Sequence, residues 1–352
     1  MSSAFAAQTG SGDGQPLPSL ESADIWIVIP CYRVRAHIRQ VIAQVPDWVA
    51  GIVCVDDACP DGSGAFIRAE ISDPRVHVLT MAENQGVGGA TLAGYAEAIR
   101  LGAQILVKID GDDQMDLAYL PALVAPILLG QADYTKGNRF SSQSHLASMP
   151  GVRVFGNTGL SFAAKLSTGY WNLFDPTNGY TALEANVAGL VMGRSIAKRF
   201  FFETDLLYHL GALRAVVRDV PMPARYGAEV SNLKVGGVLL PFALRHLRNW
   251  ARRMVGQYFV RDFNVATLEM VFGAAAVLVG LVYSLWWIVV RQPTGQVAPA
   301  GVVMGAALPI IIGVQLLLQA VNYDVMSTPS SPIHPYLRAV RQLTQARDRQ
   351  DV

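Results

Sequence analysis

Two long apolar runs near the carboxyl end limit what this chain can fold into more than any other feature. From Val265 to Val290 the residues are almost all apolar, broken only by Thr267, Glu269 and Ser284; a second run extends from Pro299 to Val321. Each exceeds the roughly 20 residues that cross a hydrocarbon layer as a helix. The link Arg291–Ala298 is short, so residues 264–322 are expected to form a transmembrane hairpin, with spans at about 265–290 and 299–321. Two buried helices of a soluble core are the alternative. Arg245, Arg248, Arg252, Arg253 and Arg261 precede the first run, Arg338, Arg341, Arg347 and Arg349 follow the second, and the link holds only Arg291. By the positive-inside rule both flanks face the cytoplasm. The expectation is therefore a multi-pass protein of the cell (inner) membrane, with a large cytoplasmic amino-terminal part and a cytoplasmic tail at 323–352.

Upstream, 237–263 places Leu240, Leu244, Leu247, Trp250 and Met254 at helical spacing among arginines. That is the pattern of an interfacial helix in the headgroup layer; a surface helix packed on the domain has the same spacing. At the other end, 1–22 is rich in Ser, Gly, Gln, Pro and Ala and has no basic start, which predicts a disordered leader rather than a signal peptide. A formal charge of +1 argues against a nucleic-acid partner. Cys31, Cys54 and Cys59 are odd in number and lack ligand spacing, so they read as reduced core or loop residues.

Between these ends, apolar strands and amphipathic helices alternate from Asp24 to Arg139, which predicts a doubly wound parallel sheet. Strands are expected at Asp24–Pro30, Gly51–Asp56, Arg75–Thr80, Gln104–Ile109 and Ala132–Lys136, and helices at Val34–Val45, Gly62–Ile71, Gly88–Gly102 and Leu117–Leu129. The strands end in polar or glycine-rich loops that collect on one edge, where open α/β sheets bind ligands. The fourth loop is the most pointed: Asp110, Asp112, Asp113 and Asp116, with Gln114, follow Ile105-Leu106-Val107 with little positive charge to balance them. Carboxylates this close repel unless a cation sits among them, which asks for a hard divalent metal sharing its shell with substrate phosphates. An EF-hand fails, since Met115 and Pro121 stand where it needs Gly and Glu. A solvated acidic turn, or a phosphoryl-accepting strand carboxylate, is the plainer reading. In the third loop, Gly86, Gly88 and Gly89 would let backbone approach a phosphate at a helix start. That loop follows the third strand, with its aspartates upstream, so it is not a dinucleotide fingerprint.

Pro30-x-Tyr32, Val55-Asp56-Asp57 with Pro60-Asp61-Gly62-Ser63, Asn84-x-Gly86-x-Gly88, Asp110-x-Asp112-x-Gln114 and Gly137-Asn138-Arg139-Phe140 together resemble the successive motifs of family-2 glycosyltransferases of the GT-A fold. Asp175-x-x-Asn178-Gly179-Tyr180 and Arg225-Tyr226-Gly227 with Ser231-x-x-Lys234 narrow the likeness to the dolichol-phosphate mannose synthase and polyprenyl-phosphate glycosyltransferase branch. The resemblance covers about Asp24 to Lys234. It implies an α/β GT-A catalytic domain at 23–236, with a doubly wound, Rossmann-like mixed sheet. It also implies a nucleotide-sugar donor, a polyprenyl-phosphate acceptor, a lipid-bilayer setting and Mg²⁺ or Mn²⁺. Pro30, Tyr32, Val55, Asp57, Asp110 and Gly111 would bind the nucleotide, and Asp110, Asp112 and Gln114 the metal. Asp112, Asp175 and Arg139 would serve catalysis, and Arg153, Arg225 and Lys234 the acceptor phosphate. Arg33 departs from a common Asn, Ala58-Cys59 from Gly-Ser, Gly111 from Ala, and Leu117 from Pro.

A hydroxyl acceptor would need a carboxylate base, for which Asp175, Glu203 and Asp205 are the candidates. A phosphate monoester is mostly dianionic at pH 7 and would attack without one. A transferase acting on a glycan or glycolipid hydroxyl, and a non-catalytic scaffold that binds nucleotide sugar, are the alternatives. Gln315 and Gln319 are expected to bond between the spans, His145 and His209 to be structural, and small residues such as Gly273 and Gly313 to permit close packing, including in a homo-oligomer.

Overall fold

A computed structural model describes residues 20, 23–140, 151–223, 235–295 and 297–350. Seven strands form one sheet: β1 (Ile25–Cys31), β2 (Gly51–Asp56), β3 (Val76–Thr80), β4 (Ile105–Lys108), β5 (Tyr134–Asn138), β6 (Thr181–Glu184) and β7 (Val217–Pro221). Their order is β3-β2-β1-β4-β6-β5-β7. Helices α1 (Ile38–Ala43), α2 (Ser63–Glu70), α3 (Gly86–Arg100), α4 (Leu120–Leu128), α5 (Gly151–Thr168), α6 (Ala185–Met192) and α7 (Phe202–Ala212) accompany the sheet. Alternation along β1 sorts its side chains onto two cores: Ile25, Ile27 and Ile29 pack with α1 and α4, and Trp26 and Val28 with α3, α6 and α7. Both faces are covered, as a doubly wound sheet requires.

The sheet is mixed. β6 lies antiparallel between β4 and β5, with Thr181 opposite both Lys108 and Lys136. Its reversal brings the loop that enters it, Asp175–Tyr180, to the same edge as the carboxyl ends of β4 and β5. Alternation up to Arg139 predicted parallel strands only, and β6, β7 and α5–α7 have no counterpart in that reading.

Helix α8 (Val235–Met254) leaves the domain and continues as a π-helical stretch, Val255–Arg261. It packs on the domain through the less apolar side. His246 Nδ1 meets Ser167 Oγ at 2.8 Å, Asn249 donates to Asp205 at 2.8 Å, and Phe242 stacks edge-on with Phe201. Leu240, Leu244, Leu247 and Trp250 face away and are exposed. Arg245, Arg248 and Arg252 are exposed among them, so the outer surface of this packed helix carries both leucines and arginines.

Helices α9 (Val265–Trp286, extended π-helically to Arg291) and α10 (Ala300–Met326) are each long and apolar enough to cross a membrane. They pair through Gly273 and Gly313: a Cβ on either would come within 3 Å of the other's carbonyl oxygen. Gln315 and Gln319 lie exposed on α10, contrary to the expected bonding across the hairpin. The second helix runs to Met326, past the expected end at Val321, and its last turn carries the buried Asp324. Asp324 accepts two bonds from Arg253 at 2.6 and 2.9 Å, one from Trp171 Nε1 at 2.8 Å and one from Tyr258 OH. The tail is likewise engaged: α11 (His334–Gln350) returns to the sheet, where His334 meets buried Asp133 at 2.8 Å and Arg338 meets buried Glu184 at 3.0 Å.

Candidate active site

The carboxyl edge of the sheet opens into a cavity of about 630 Å³. Pro30, Tyr32 and Arg33 line it from the β1 end, Asp57 from β2, Asn84 and Gly86 from the third loop, and Asp110, Gly111 and Asp112 from the fourth, with Arg199 and Phe200 from the segment before α7. A second cavity of about 150 Å³ adjoins it, lined by Gln114, Met115, Asp116, Arg139, Asn178 and Tyr180. Asp110 and Asp112 belong to both. Five of the six expected nucleotide residues thus gather at one opening. Val55 does not: it is fully buried beneath α3, in contact range of Gly94. It is the last inward-facing residue of its strand, so burial wins.

Asp57 sits at the cavity wall, yet its two oxygens accept the amides of Gln85 at 2.7 Å and Gly86 at 2.8 Å. It braces the third loop. The amides of Gly88 and Gly89 both donate to the Lys198 carbonyl, at 2.9 and 3.1 Å, and Gly88 lies against the Phe202 ring. These glycines admit a neighbouring protein segment, so the expected phosphate approach at this helix start is not what they serve here. Gly86 has φ +83° and sits beneath Arg199, an approach a side chain would block.

The acidic loop has a cation of its own. Lys108, almost fully buried at the end of β4, places Nζ 2.7 Å from Asp110 Oδ1 and 3.6 Å from Glu203. Burial pulls the Lys108 ammonium down, but Asp110 and Glu203 outweigh it and hold the group above its ordinary range. The charge balance read from the sequence was incomplete, because a lysine two residues upstream on a strand points to the same face as Asp110. Gly179 closes over this pair: a Cβ there would lie 2.6 Å from Lys108 Nζ and 2.8 Å from Asp110 Oδ2. Asp112 Oδ1 accepts the Gln114 amide at 3.1 Å. Two carboxylates on one loop, with a carboxamide behind them, form a hard oxygen set open to both cavities. Among the described residues no group of three metal-ligating side chains gathers. The loop therefore fits an ion that takes one or two protein carboxylates and completes its shell with phosphate and water.

Arg139, at the end of β5, is gripped by Asp175: Nε to Oδ2 at 2.8 Å and Nη2 to Oδ1 at 3.1 Å. Asp175 is wholly buried and the guanidinium partly exposed to the smaller cavity. Both Asp175 oxygens accept from the guanidinium, so the carboxylate fixes where Arg139 lies. Asp205 lies outside the lining of both cavities and accepts the Ala197 amide and Asn249. Beneath Arg139 lies a charged layer that sequence reading missed. Burial pushes Lys136 down to about 8 against the pull of Asp175, Glu203 and Asp219, and lifts Asp219 to about 6. Asp219 Oδ2 accepts Asn138 at 3.1 Å and the Phe174 amide at 2.8 Å, tying the Arg139 and Asp175 loops together. The only signal was a lysine ending a predicted strand. Arg153 lies in the first turn of α5, and its side chain, like Arg225, Lys234 and His145, falls outside the described residues. His209, half-covered and near the Ser195 carbonyl, lies outside both cavities.

Residues 26–190 match the sequence profile of Glycosyl transferase family 2. The chain carries a Glycosyl transferase family 2 domain. Its sequence is 25% identical over 234 residues to the UDP-N-acetylglucosamine–dolichyl-phosphate N-acetylglucosaminyltransferase of Methanococcus voltae, covering 62% of this chain and 92% of that protein. It is 27% identical over 227 residues to the undecaprenyl-phosphate mannosyltransferase of Micrococcus luteus (63% and 92% covered). The polyprenol monophosphomannose synthase of Mycolicibacterium smegmatis is 28% identical over 233 residues (64% and 86%). In fold, this glycosyltransferase is similar to glucosyl-3-phosphoglycerate synthase from Mycobacterium tuberculosis, solved with Mg²⁺ and UDP, at a TM-score of 0.50 and 19% identity over 68% of this chain and 85% of that one. That likeness shows the mixed GT-A sheet; the family-2 match and the relatives, not the fold, show an enzyme of the glycosyltransferase class.

Proposed function

We propose that this enzyme is a membrane-anchored, metal-dependent, inverting transferase that moves a hexose from a UDP- or GDP-sugar to polyprenyl phosphate on the cytoplasmic side of the cell membrane. The observation that carries the reading is the junction of the two cavities at Asp110 and Asp112, with Arg139 fixed at the far wall. The names of the three relatives, each specifying a polyprenyl or dolichyl phosphate acceptor, support it. So do the two apolar helices tied to the domain through Asp324. In this reading 23–236 is the catalytic domain, 237–263 the interfacial segment and 264–322 the membrane hairpin.

The donor nucleotide lies in the larger cavity against Pro30, Tyr32 and Asn84, with Asp57 holding the third loop in place. Its diphosphate points to Asp110, Asp112 and Gln114, which would hold Mg²⁺ or Mn²⁺; bound there, the ion supplies positive charge to the leaving diphosphate. Arg139, oriented by Asp175, adds a second cation where negative charge develops. Lys108 steadies Asp110 from behind. The acceptor phosphate enters by the smaller cavity, with Arg153, Arg225 and Lys234 as its further cations, and one of its oxygens attacks the anomeric carbon from the face opposite the diphosphate. No base is required. That Asp175 and Asp205 are both engaged, and that Glu203 is largely buried beside Lys108, favours this acceptor over a hydroxyl.

The test is transfer of radiolabelled sugar from UDP-glucose, UDP-N-acetylglucosamine and GDP-mannose to undecaprenyl phosphate, with Mg²⁺ or with EDTA. One donor should label the lipid only with metal present, and Asp112→Ala should lower the rate by about 10²–10³-fold. Donor binding without any labelled polyprenyl product would overturn the acceptor and turn attention to hydroxyls.

A further inference from the structure

A row of aromatic side chains runs from Arg139 toward the membrane hairpin, and nothing in the transfer chemistry uses it. Arg139 lies 5.9 Å from the Phe140 ring centre, and Phe140 packs edge-on with Phe174 at 6.1 Å. Lys165 Nζ sits 5.5 Å over Phe174. One turn back on α5, Phe162 packs edge-on with Trp171 at 6.1 Å, and Trp171 bonds to Asp324 in the last turn of α10. Phe162 is 55% exposed and Phe174 46%, although both sit on well-anchored backbone, the Phe174 carbonyl being held by Ser161 Oγ at 2.9 Å. Two edge-on aromatic pairs, joined through α5 by Lys165 over Phe174 and by Ser161 at its carbonyl, leave large rings in the open, which marks a binding surface rather than a core.

We infer that this row is the track along which the isoprenoid chain of the acceptor lies, from the end of the second apolar helix to the phosphate site at Arg139. The inference rests on the proposed polyprenyl-phosphate acceptor. Two features on the surface favour this occupant. The row is continuous at one end with the apolar helix, from which a lipid tail emerges, and at the other with a guanidinium that suits a phosphate. Lys165 lies over the Phe174 ring, so its stem can lie along the tail while its ammonium stays in water or meets the phosphate in transit. A protein partner would instead want a broader patch with a polar rim.

The experiment uses the full chain in lipid nanodiscs. Phe162→Ser with Phe174→Ser should raise KM for undecaprenyl phosphate by about tenfold or more, the factor a buried aromatic ring carries. KM for a two-isoprene phosphate and the affinity for donor should stay within about twofold, as only the tail is affected. Equal changes for long and short acceptors, or none for either, would overturn the track. A diazirine placed on the phosphate-proximal isoprene units of undecaprenyl phosphate gives a readout that needs no turnover. Crosslinks on the peptides holding Phe162 and Phe174 support the track even if wild-type enzyme transfers no sugar to the lipid, an outcome that would sink only the acceptor chemistry. Transfer with crosslinks solely on the apolar side of α8 would sink the track and leave the chemistry standing.

Discussion

Asp175 does not line the smaller cavity itself and meets it through Arg139. It is buried, it holds Arg139 by two bonds, and it keeps the guanidinium at the edge of the smaller cavity. Asp175→Asn retains one acceptor oxygen but loses the charge, so Arg139 should swing away. We expect kcat to fall by about 10²-fold with little change in donor KM, since a displacement of an ångström at a catalytic group has that effect. Steady-state kinetics at saturating acceptor would measure it. Asp219, one layer below, makes a prediction about pH. Its folded pKa lies near 6, above the ordinary 3.8, so the folded state favours its neutral form. That contribution is complete below about pH 3.8 and is lost as pH rises through 6, leaving the buried charge as a cost at pH 8. Asp219→Asn keeps an oxygen for the Phe174 amide. The variant's thermal midpoint relative to wild type should therefore be more favourable at pH 8 than at pH 5, and a scan at the two values decides it.

At the level of elements, helix α3 decides how tightly the third loop is seated. Gly94 lies against β1 and β2 so closely that a Cβ would stand 2.3 Å from Val28 Cγ1 and 2.9 Å from Val55 Cγ2. Both neighbours are in the fully buried core and have no room to yield. Gly94→Ala should lower stability by about 1–3 kcal/mol, the usual range for overpacking, read by denaturant unfolding of the detergent-solubilised enzyme. Because α3 begins at Gly86, whose amide is held by Asp57, the same shift should weaken donor binding. Helix α8 follows a different logic. Its polar residues His246, Asn249 and Arg253 are buried against α5 and α7, while its leucines are exposed together with Arg245, Arg248 and Arg252. Burial lowers His246 to about 4, so it is neutral at physiological pH and can bond to Ser167 without a charge.

Across the whole molecule, Arg253 and Asp324 join the parts. The pair is buried and also engages Trp171, Tyr258 and the Leu166 carbonyl, so one knot fixes α5, α8 and α10 relative to the sheet. Removing one partner strands the other charge in a poorly hydrated site. Arg253→Met should destabilise by about 3–5 kcal/mol, and adding Asp324→Asn should restore part of the loss, because no lone charge then remains. Thermal unfolding in one fixed detergent would compare the three proteins. The return of α11 to Asp133 and Glu184 adds a second tie, so the chain following the hairpin is bound to the sheet and is not a loose tail.

Sequence alone determined the local character of this protein: which segments are strands and helices up to Arg139, where the loops collect, and where two apolar helices follow. These depend on residue periodicity and turn chemistry, which are properties of short stretches. It also marked Asp110 and Asp112, whose spacing after an apolar strand carries their chemistry, and Arg139 through the resemblance of Gly137-Asn138-Arg139-Phe140 to a family motif. Tertiary structure decided the rest. The antiparallel β6 lies between β4 and β5, and its entering loop brings Asp175 to Arg139 and Gly179 to Lys108, with Asp219 of β7 bracing the first pair. Whether an oxygen of Asp57 or Asp175 is open to a ligand, whether the Gly88 amide meets phosphate or the Lys198 carbonyl, and which side of α8 is buried all depend on which distant groups arrive beside them. Such pairings are set by long-range packing, and no window of sequence contains both partners.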